Sequence, residues 1–217
     1  MIHIEFLLEE PSAEAALQIL VPKIMPFGAT FACHVMGGKK TLLKELPTRL
    51  RGYSRWLPPD WRIVVLVDRD EEDCKRLKAR LEKLCQTAGL ISKTKAGAKQ
   101  AAQVTNRIVV EELEAWFFGD VTALRKAYPR LPDISQKAAF RNPDQIRGGT
   151  WETLERLLQK AGYYKSGVPK IELAKTITPY MEPAGNTSKS FQTFRQALLE
   201  LTISPTSGCA TKCCDCP

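Results

Sequence analysis

Hydrophobic positions in this chain first form short continuous runs separated by amphipathic segments, and later form helical stripes alone. Ile2 to Leu8, Thr30 to Met36, Ile63 to Val67 and Arg107 to Val110 read as strands. The third run is five consecutive aliphatic residues, the pattern of a strand covered on both faces in a parallel sheet between helices. Ala16, Leu17, Ile19 and Leu20 predict a first helix, capped by Ser12 and ended by Pro22 and Pro26. Leu42, Leu43, Leu46 and Leu50 predict a second that reaches toward Tyr53. Cys74, Leu77, Leu81, Leu84 and Cys85 share one face of a third, opposite Lys75, Arg76, Lys78, Arg80 and Lys83. Gly89 reads as its C-cap, and Leu90 to Thr94 as a further short strand. Strands alternating with helices predict an α/β domain over residues 1–118, a mostly parallel sheet flanked by helices. From Gly119 onward only helical stripes remain: Trp151, Leu154, Leu157, Leu158 and Ala161 behind a Thr150 cap, then Phe191, Phe194, Leu198 and Leu201. Residues 119–203 therefore read as a helical appendage, and a Ser-Pro-Thr-Ser-Gly linker opens a tail over 204–217.

The third strand runs straight into Asp68, Arg69, Asp70, Glu71, Glu72 and Asp73. Ligands of parallel sheets sit beyond the carboxyl ends of the strands. If the backbone stays extended through Arg69, Asp68 and Asp70 leave the same face with Cα atoms roughly 6–7 Å apart, suited to a hard divalent cation such as Mg²⁺ or Mn²⁺. Acids at a helix start also cap it and oppose its dipole, which accounts for Glu71, Glu72 and Asp73 without any further role.

Charge adds the next constraint. The chain has 217 residues and a formal net charge of +8. A basic protein with an acidic centre suits a polyanion that meets metal, and DNA or RNA is the natural candidate. Lys39, Lys40, Lys44, Arg49, Arg51, Arg55 and Arg62 are opposed only by Glu45 and Asp60 in their segment, which carries +5. Tyr53, Trp56 and Trp61 lie among these cations as stacking platforms for bases or as packing aromatics, and the alternative for the whole segment is a solvated basic face. Lys93, Lys95 and Lys99 add positive charge around Gly97. Gly37-Gly38-Lys39-Lys40-Thr41 is not a phosphate loop, because that motif needs glycine where Cys33 stands. No secretory signal or apolar run of about 20 residues is present, so the expected location is cytoplasmic. Of seven cysteines, Cys33, Cys74 and Cys85 fit core positions as reduced thiols, whereas Cys209, Cys213, Cys214 and Cys216 crowd the tail as a thiol-rich segment or a zinc or redox site.

An acid after the first strand joined to an Asp-x-Asp after a later one resembles the TOPRIM domain, the Mg²⁺ site of topoisomerases, primases and several nucleases. Phe6-Leu7-Leu8-Glu9-Glu10-Pro11-Ser12 resembles its Glu-Gly element, with Glu10 in place of the glycine, and Asp68-Arg69-Asp70 its Asp-x-Asp. More narrowly, the chain resembles the bacterial domain-of-unknown-function family 4276, a TOPRIM-like group often encoded beside ATPases in defence-type loci. The likeness runs from about residue 2 to 200 and rests on Glu9-to-Ser12, Val65 to Asp70, Glu111-Glu112-Leu113-Glu114-Ala115-Trp116-Phe117, Asn142-Pro143-Asp144 and Ser188-Lys189-Ser190-Phe191. It implies a TOPRIM-like Rossmannoid fold with Glu9 in general acid/base work and Asp68 and Asp70 on Mg²⁺ or Mn²⁺. A second metal would need further oxygens, from Glu112 or Glu114, for which first-turn helix electrostatics is the alternative. Lys39, Lys40 and Arg51 would bind the nucleic acid. These features point to a metal-dependent nuclease or phosphodiester-cleaving module with an ATPase partner in phage defence. Two alternatives stand beside it: a non-catalytic TOPRIM-like module that binds nucleic acid or the ATPase, and a haloacid-dehalogenase-type phosphatase. The phosphatase is disfavoured, because its Asp-x-Asp follows an early strand and takes Thr or Val where Glu72 stands.

Overall fold

The computed structural model describes residues 1–97 and 100–202; Lys99 and the cysteine-rich tail from Ser204 lie outside the described residues. Strands β1 (His3–Leu8), β2 (Thr30–Val35), β3 (Trp61–Asp68) and β4 (Val104–Val109) form one sheet in the order β2-β1-β3-β4, parallel at every pairing. Parallel neighbours need long crossovers. Helices α1 (Pro11–Ile24) and α2 (Lys39–Trp56) serve the first two, and α3 (Cys74–Thr87) with the following loop serves the third. All strand exits, and the starts of these three helices, therefore gather at one edge of the sheet. Beyond β4 come α4 (Glu114–Phe118), α5 (Val121–Ala127), α6 (Thr150–Lys160), α7 (Lys170–Ile177) and α8 (Lys189–Thr202). The architecture is the expected α/β one, a Rossmann-like parallel sheet with C-terminal helices.

Ile63 to Val67 are at most 2 % exposed, as a strand covered on both faces must be. Burying five such side chains contributes on the order of 10 kcal/mol. On one face Leu7, Ile63, Val65 and Val67 meet Leu42, Leu46 and Leu50 of α2 and Leu77, Leu81 and Cys85 of α3. On the other, Ile4, Phe6, Leu8, Val64 and Leu66 meet Leu17 and Leu20 of α1 and Phe191, Phe194 and Leu198 of α8. Helices α4 to α7 extend this second core rather than building one apart, with Trp116, Leu154, Leu173 and Ile177 in the same apolar cluster.

Several local expectations are corrected by hydrogen bonding. Helix α1 starts at Pro11 with Glu10 as N-cap; Ser12 is buried, and its hydroxyl donates to the Glu10 carboxylate at 3.3 Å. Proline suits the first helical position, because its φ is preset and its missing N–H would have no intrahelical partner there. The helix continues through Pro22, and the Met25 N–H still reaches the Val21 carbonyl at 2.9 Å. Strand β4 begins at Val104, opposite Ile63, whereas Leu90 to Thr94 makes only an isolated bridge at Ser92. Asp73 caps α3 as expected, accepting from the Arg76 N–H at 2.8 Å, and Gly89 with φ +76° turns the chain just past its end.

Two of the motifs that carried the family resemblance meet in the core as structure. Asp144, 4 % exposed, accepts from the Ser188 hydroxyl at 2.7 Å and from the Ser190 N–H and hydroxyl at 2.9 and 3.1 Å, fixing the start of α8. Trp116 donates its indole N–H to Ser190 Oγ at 3.2 Å and lies between Phe191 and Phe194. A second buried acid, Glu5 on β1, takes hydrogen bonds from Tyr53 at 3.0 Å and from His3 at 3.1 Å and is also bonded to His34. Tyr53 is thereby a core residue. Trp56 packs on Tyr53 and Trp61 at the edge of the sheet away from the strand exits, 55 % exposed.

Candidate functional site

Strands β1 and β3 are parallel neighbours with Leu8 opposite Leu66, so Glu9 leaves the sheet beside the end of β3. The Glu9 carboxylate accepts from the Asp68 N–H at 3.2 Å. Gly37 and Gly38, at φ +70° and +110°, turn the chain from β2 into α2 and bring the Gly38 N–H to the Glu9 carbonyl at 2.8 Å. Side chains rarely adopt that backbone conformation, which explains the glycine pair without phosphate binding.

The Asp-Arg-Asp segment does not stay extended. Arg69 N–H still pairs with the Val109 carbonyl at 2.8 Å, but Asp70 adopts φ +50° and its N–H turns to the Glu111 carbonyl at 3.1 Å. Asp68 remains half-buried at the strand end while Asp70 moves out to the surface. There Lys39 holds it: the ammonium lies 3.1 Å from Asp70, 2.9 Å from Glu72 and 2.9 Å from the Arg69 carbonyl. Lys39, expected on a phosphate backbone, thus faces the acids. Burial alone would lower its ammonium, but the bonds to Glu72 and Asp70 hold it above the usual lysine range.

Glu114 is buried rather than an exposed first-turn acid: it is 1 % exposed, and its Oε2 has no hydrogen-bond partner among the described residues. Burial pushes Glu114 up to about 7 against the pull of Lys170. Burial likewise pushes Glu9 up to about 7, with Asp70 and Glu10 adding to it against the Asp68 N–H and Lys39. Asp68 is driven well above its ordinary range by burial and then by Glu114, Glu9, Asp70 and Glu10. Glu9, Asp68, Asp70 and Glu114 therefore share one electrostatic site at the strand exits. Glu112 points elsewhere. Its Oε2 accepts from the Thr150 hydroxyl at 3.0 Å and the Trp151 N–H at 3.1 Å, supplying the cap of α6 that Thr150 itself does not provide. Lys40 is exposed at the start of α2, and Arg51 is exposed about 18 Å further along, where it touches Thr48.

One group in the site carried no readable signal in the sequence. Lys170, the first residue of α7, lies 3.6 Å from Glu10 and over the Trp151 ring at 5.1 Å. Burial would lower its ammonium, yet Glu114, Glu10, Glu112 and Asp68 together hold it above the usual range. Lysine in a helix start 160 residues from Glu10 becomes legible only when α7 packs on α1. Glu10, the N-cap of α1, is the residue that receives it.

The donor set suits a hard divalent cation: carboxylate oxygens only, one of them buried without a partner among the described residues. As the side chains stand, no group of three or more His, Cys, Asp or Glu among the described residues is disposed to hold one, because Asp70 has turned outward to Lys39. A metal ion on Asp70 would have to displace the Lys39 ammonium that lies 3.1 Å from it.

A family model described as domain of unknown function (DUF4276) matches residues 8–199. No curated protein matches the chain. Among solved structures, the C-terminal region of the Xanthomonas campestris pv. campestris OLD protein is similar at 18% identity, covering 92% of this chain and 91% of that one, with a TM-score of 0.41.

Proposed function

The chain belongs to the DUF4276 family, and from that premise we propose that it is a metal-dependent phosphodiester-cleaving module acting on nucleic acid. One observation carries this reading: Glu9, Asp68, Asp70 and Glu114 are electrostatically coupled where neighbouring parallel strands leave the sheet, with burial pushing Glu9 and Glu114 up to about 7 and Asp68 well above its ordinary range. Burying Glu9 and Glu114 beside Asp68 and Asp70 costs stability, and helix capping, which accounts for Glu112 and Asp73, accounts for none of these four.

Asp68, Asp70 and Glu114 would hold Mg²⁺ or Mn²⁺ once Asp70 releases Lys39. The bound ion supplies Lewis-acid polarisation of a phosphodiester oxygen and a lowered pKa for its water. Glu9, held near 7 by burial, is matched to give or take a proton at neutral pH. Lys39, released from Asp70, is placed to face a phosphate, and Lys40 adds charge beside it. An ATPase partner and a role in phage defence belong to the same proposal, supported by the family resemblance.

A non-catalytic binding module is the second reading. Lys39 on Asp70 and Glu72 and Lys170 on Glu10 favour it, since two resident ammonium groups already neutralise the acids.

The deciding experiment is cleavage of supercoiled DNA and structured RNA over a Mg²⁺ and Mn²⁺ titration, with any ATPase encoded alongside supplied. Glu9→Gln keeps the side chain's size and removes its basicity, so it is expected to retain binding and lose turnover. Tight binding by the wild-type protein without cleavage under every condition overturns the catalytic reading in favour of the second.

A further inference from the structure

Helices α2 and α3 lie side by side on one face of the sheet, sharing the core of Leu42, Leu46, Leu50, Leu77 and Leu81. Their opposite faces are open to solvent. Together the two helices carry eleven cations against Glu45 and Glu82, a net +9. The whole chain is +8, so everything outside these two helices sums to −1. The net charge of the protein is thus confined to one two-helix face.

Most of these cations are unengaged. On α2, Lys40, Lys44, Arg51 and Arg55 are exposed and form no ion pair among the described residues. On α3 the same holds for Lys75, Arg76, Arg80 and Lys83. By contrast Lys39, Arg49 and Lys78 are spent on Asp70, Glu45 and Glu82. Eight such cations on one face repel one another, a cost that a polyanion removes.

We infer that the α2/α3 face is a platform for double-stranded nucleic acid, delivering the duplex to the acid cluster. The inference rests on the reading of that cluster as acting on nucleic acid and names where and in what form the substrate is held. Packed helices lie about 8–10 Å apart, so the two rows of cations are spaced comparably with a major groove about 12 Å wide and reach phosphates on both of its sides. Helix α2, at 18 residues, is about 27 Å long, alongside which a duplex presents on the order of 16 phosphates. Both helices begin at the sheet edge that carries Glu9 and Asp68, so the platform runs from the site outward. A single strand is less suited, because affinity for it comes from stacked aromatics. Tyr53 is buried here, and Trp56 stands at the far end against Tyr53 and Trp61.

The test uses the full chain in chelator, with binding to a 30-base-pair duplex, DNA and RNA in separate arms, followed across about 50–200 mM salt. The variant R51Q/R55Q/R80Q/K83Q removes four cations remote from the acids. K126Q/K160Q/K165Q/K175Q removes four exposed ones from the C-terminal region, three on its helices and Lys165 on the loop between α6 and α7, and leaves the platform intact. Circular dichroism and thermal melting establish that both are folded; if the first is not, the paired variants R51Q/R55Q and R80Q/K83Q replace it. The expected result is a platform variant with a log–log salt slope flattened by up to about 3.6, some 0.9 for each phosphate no longer neutralised, and a control close to wild type. Equal weakening in both, or none in either, overturns the platform. So does tighter binding to a single strand, or to phosphatidylserine vesicles, than to duplex. Cleavage by a platform variant that binds as wild type would sink this inference and leave the site reading standing. Platform-dependent binding by a protein that never cleaves would do the reverse.

Discussion

Glu114 has a buried carboxylate with one oxygen unpartnered among the described residues, and together with Glu9 it makes the fold pH-sensitive in an unusual direction. Both groups titrate near 7 in the folded chain against an ordinary 4.5. A raised carboxyl contributes stability that is complete below about 4.5 and is lost as pH climbs through about 7. Metal-free protein is therefore expected to be less stable at pH 8 than at pH 5, by up to about 3 kcal/mol for each group, and so to melt at a lower temperature. Glu114→Gln should remove part of that slope and raise the melting temperature at pH 8; a wild-type melting temperature flat across this window would mean that neither carboxyl is desolvated. Lys39 is the counterpart. With it replaced by Met, Asp70 and Glu72 lose their resident cation, so Mg²⁺ should bind several-fold more tightly by calorimetry, while unchanged affinity would separate Asp70 from the metal.

At the scale of elements, what holds the C-terminal helices to the sheet is polar as well as apolar. Asp144 organises the start of α8 through Ser188 and Ser190. Asp144→Ala leaves buried donors unsatisfied and is expected to cost about 2–4 kcal/mol in urea unfolding. Glu112→Ala removes the acceptor that caps α6 and should cost about 1–2 kcal/mol; if Glu112 only caps, metal affinity stays put, and a fall in it would restore Glu112 as a ligand. The strands and the first three helices were legible in the sequence because continuous aliphatic runs and a 3.6-residue stripe are local signals, as in Ile63 to Val67 and Leu77 to Cys85. The placement of Glu9 next to Asp68 was readable too, since strand exits of a parallel sheet share an edge. What escaped depends on tertiary contacts. Nothing local says that Asp70 flips to φ +50°, that Glu112 caps a helix 38 residues on, or that Lys170 reaches Glu10. The motifs around Asp144 and Ser188, which carried only the family resemblance in sequence, are packing in space.

For the molecule as a whole, parallel topology separates two charges that would otherwise neutralise each other. Carboxylates collect at the strand exits, while the cations of α2 and α3 cover one flank and leave the remainder near neutral. If the proposed polyanion is held on that flank, it would raise the local concentration of divalent cations beside the acids, so that substrate and metal would reinforce one another electrostatically. Metal binding to the folded state alone also stabilises it by mass action, by about 2.7 kcal/mol at a hundredfold excess over Kd. Thermal melts at pH 8 should therefore rise with Mg²⁺ or Mn²⁺ at constant ionic strength in the wild-type protein. Asp68→Asn should abolish most of that rise, because Asp68 sits at the centre of the cluster, coupled to Glu9, Asp70 and Glu114 alike. K⁺ at matched ionic strength serves as the control, since screening acts on the exposed cations of α2 and α3 far more than on the buried acids. If Asp68→Asn responds to Mg²⁺ as the wild type does, the ion is bound elsewhere on the surface and the strand-exit acids are not its ligands.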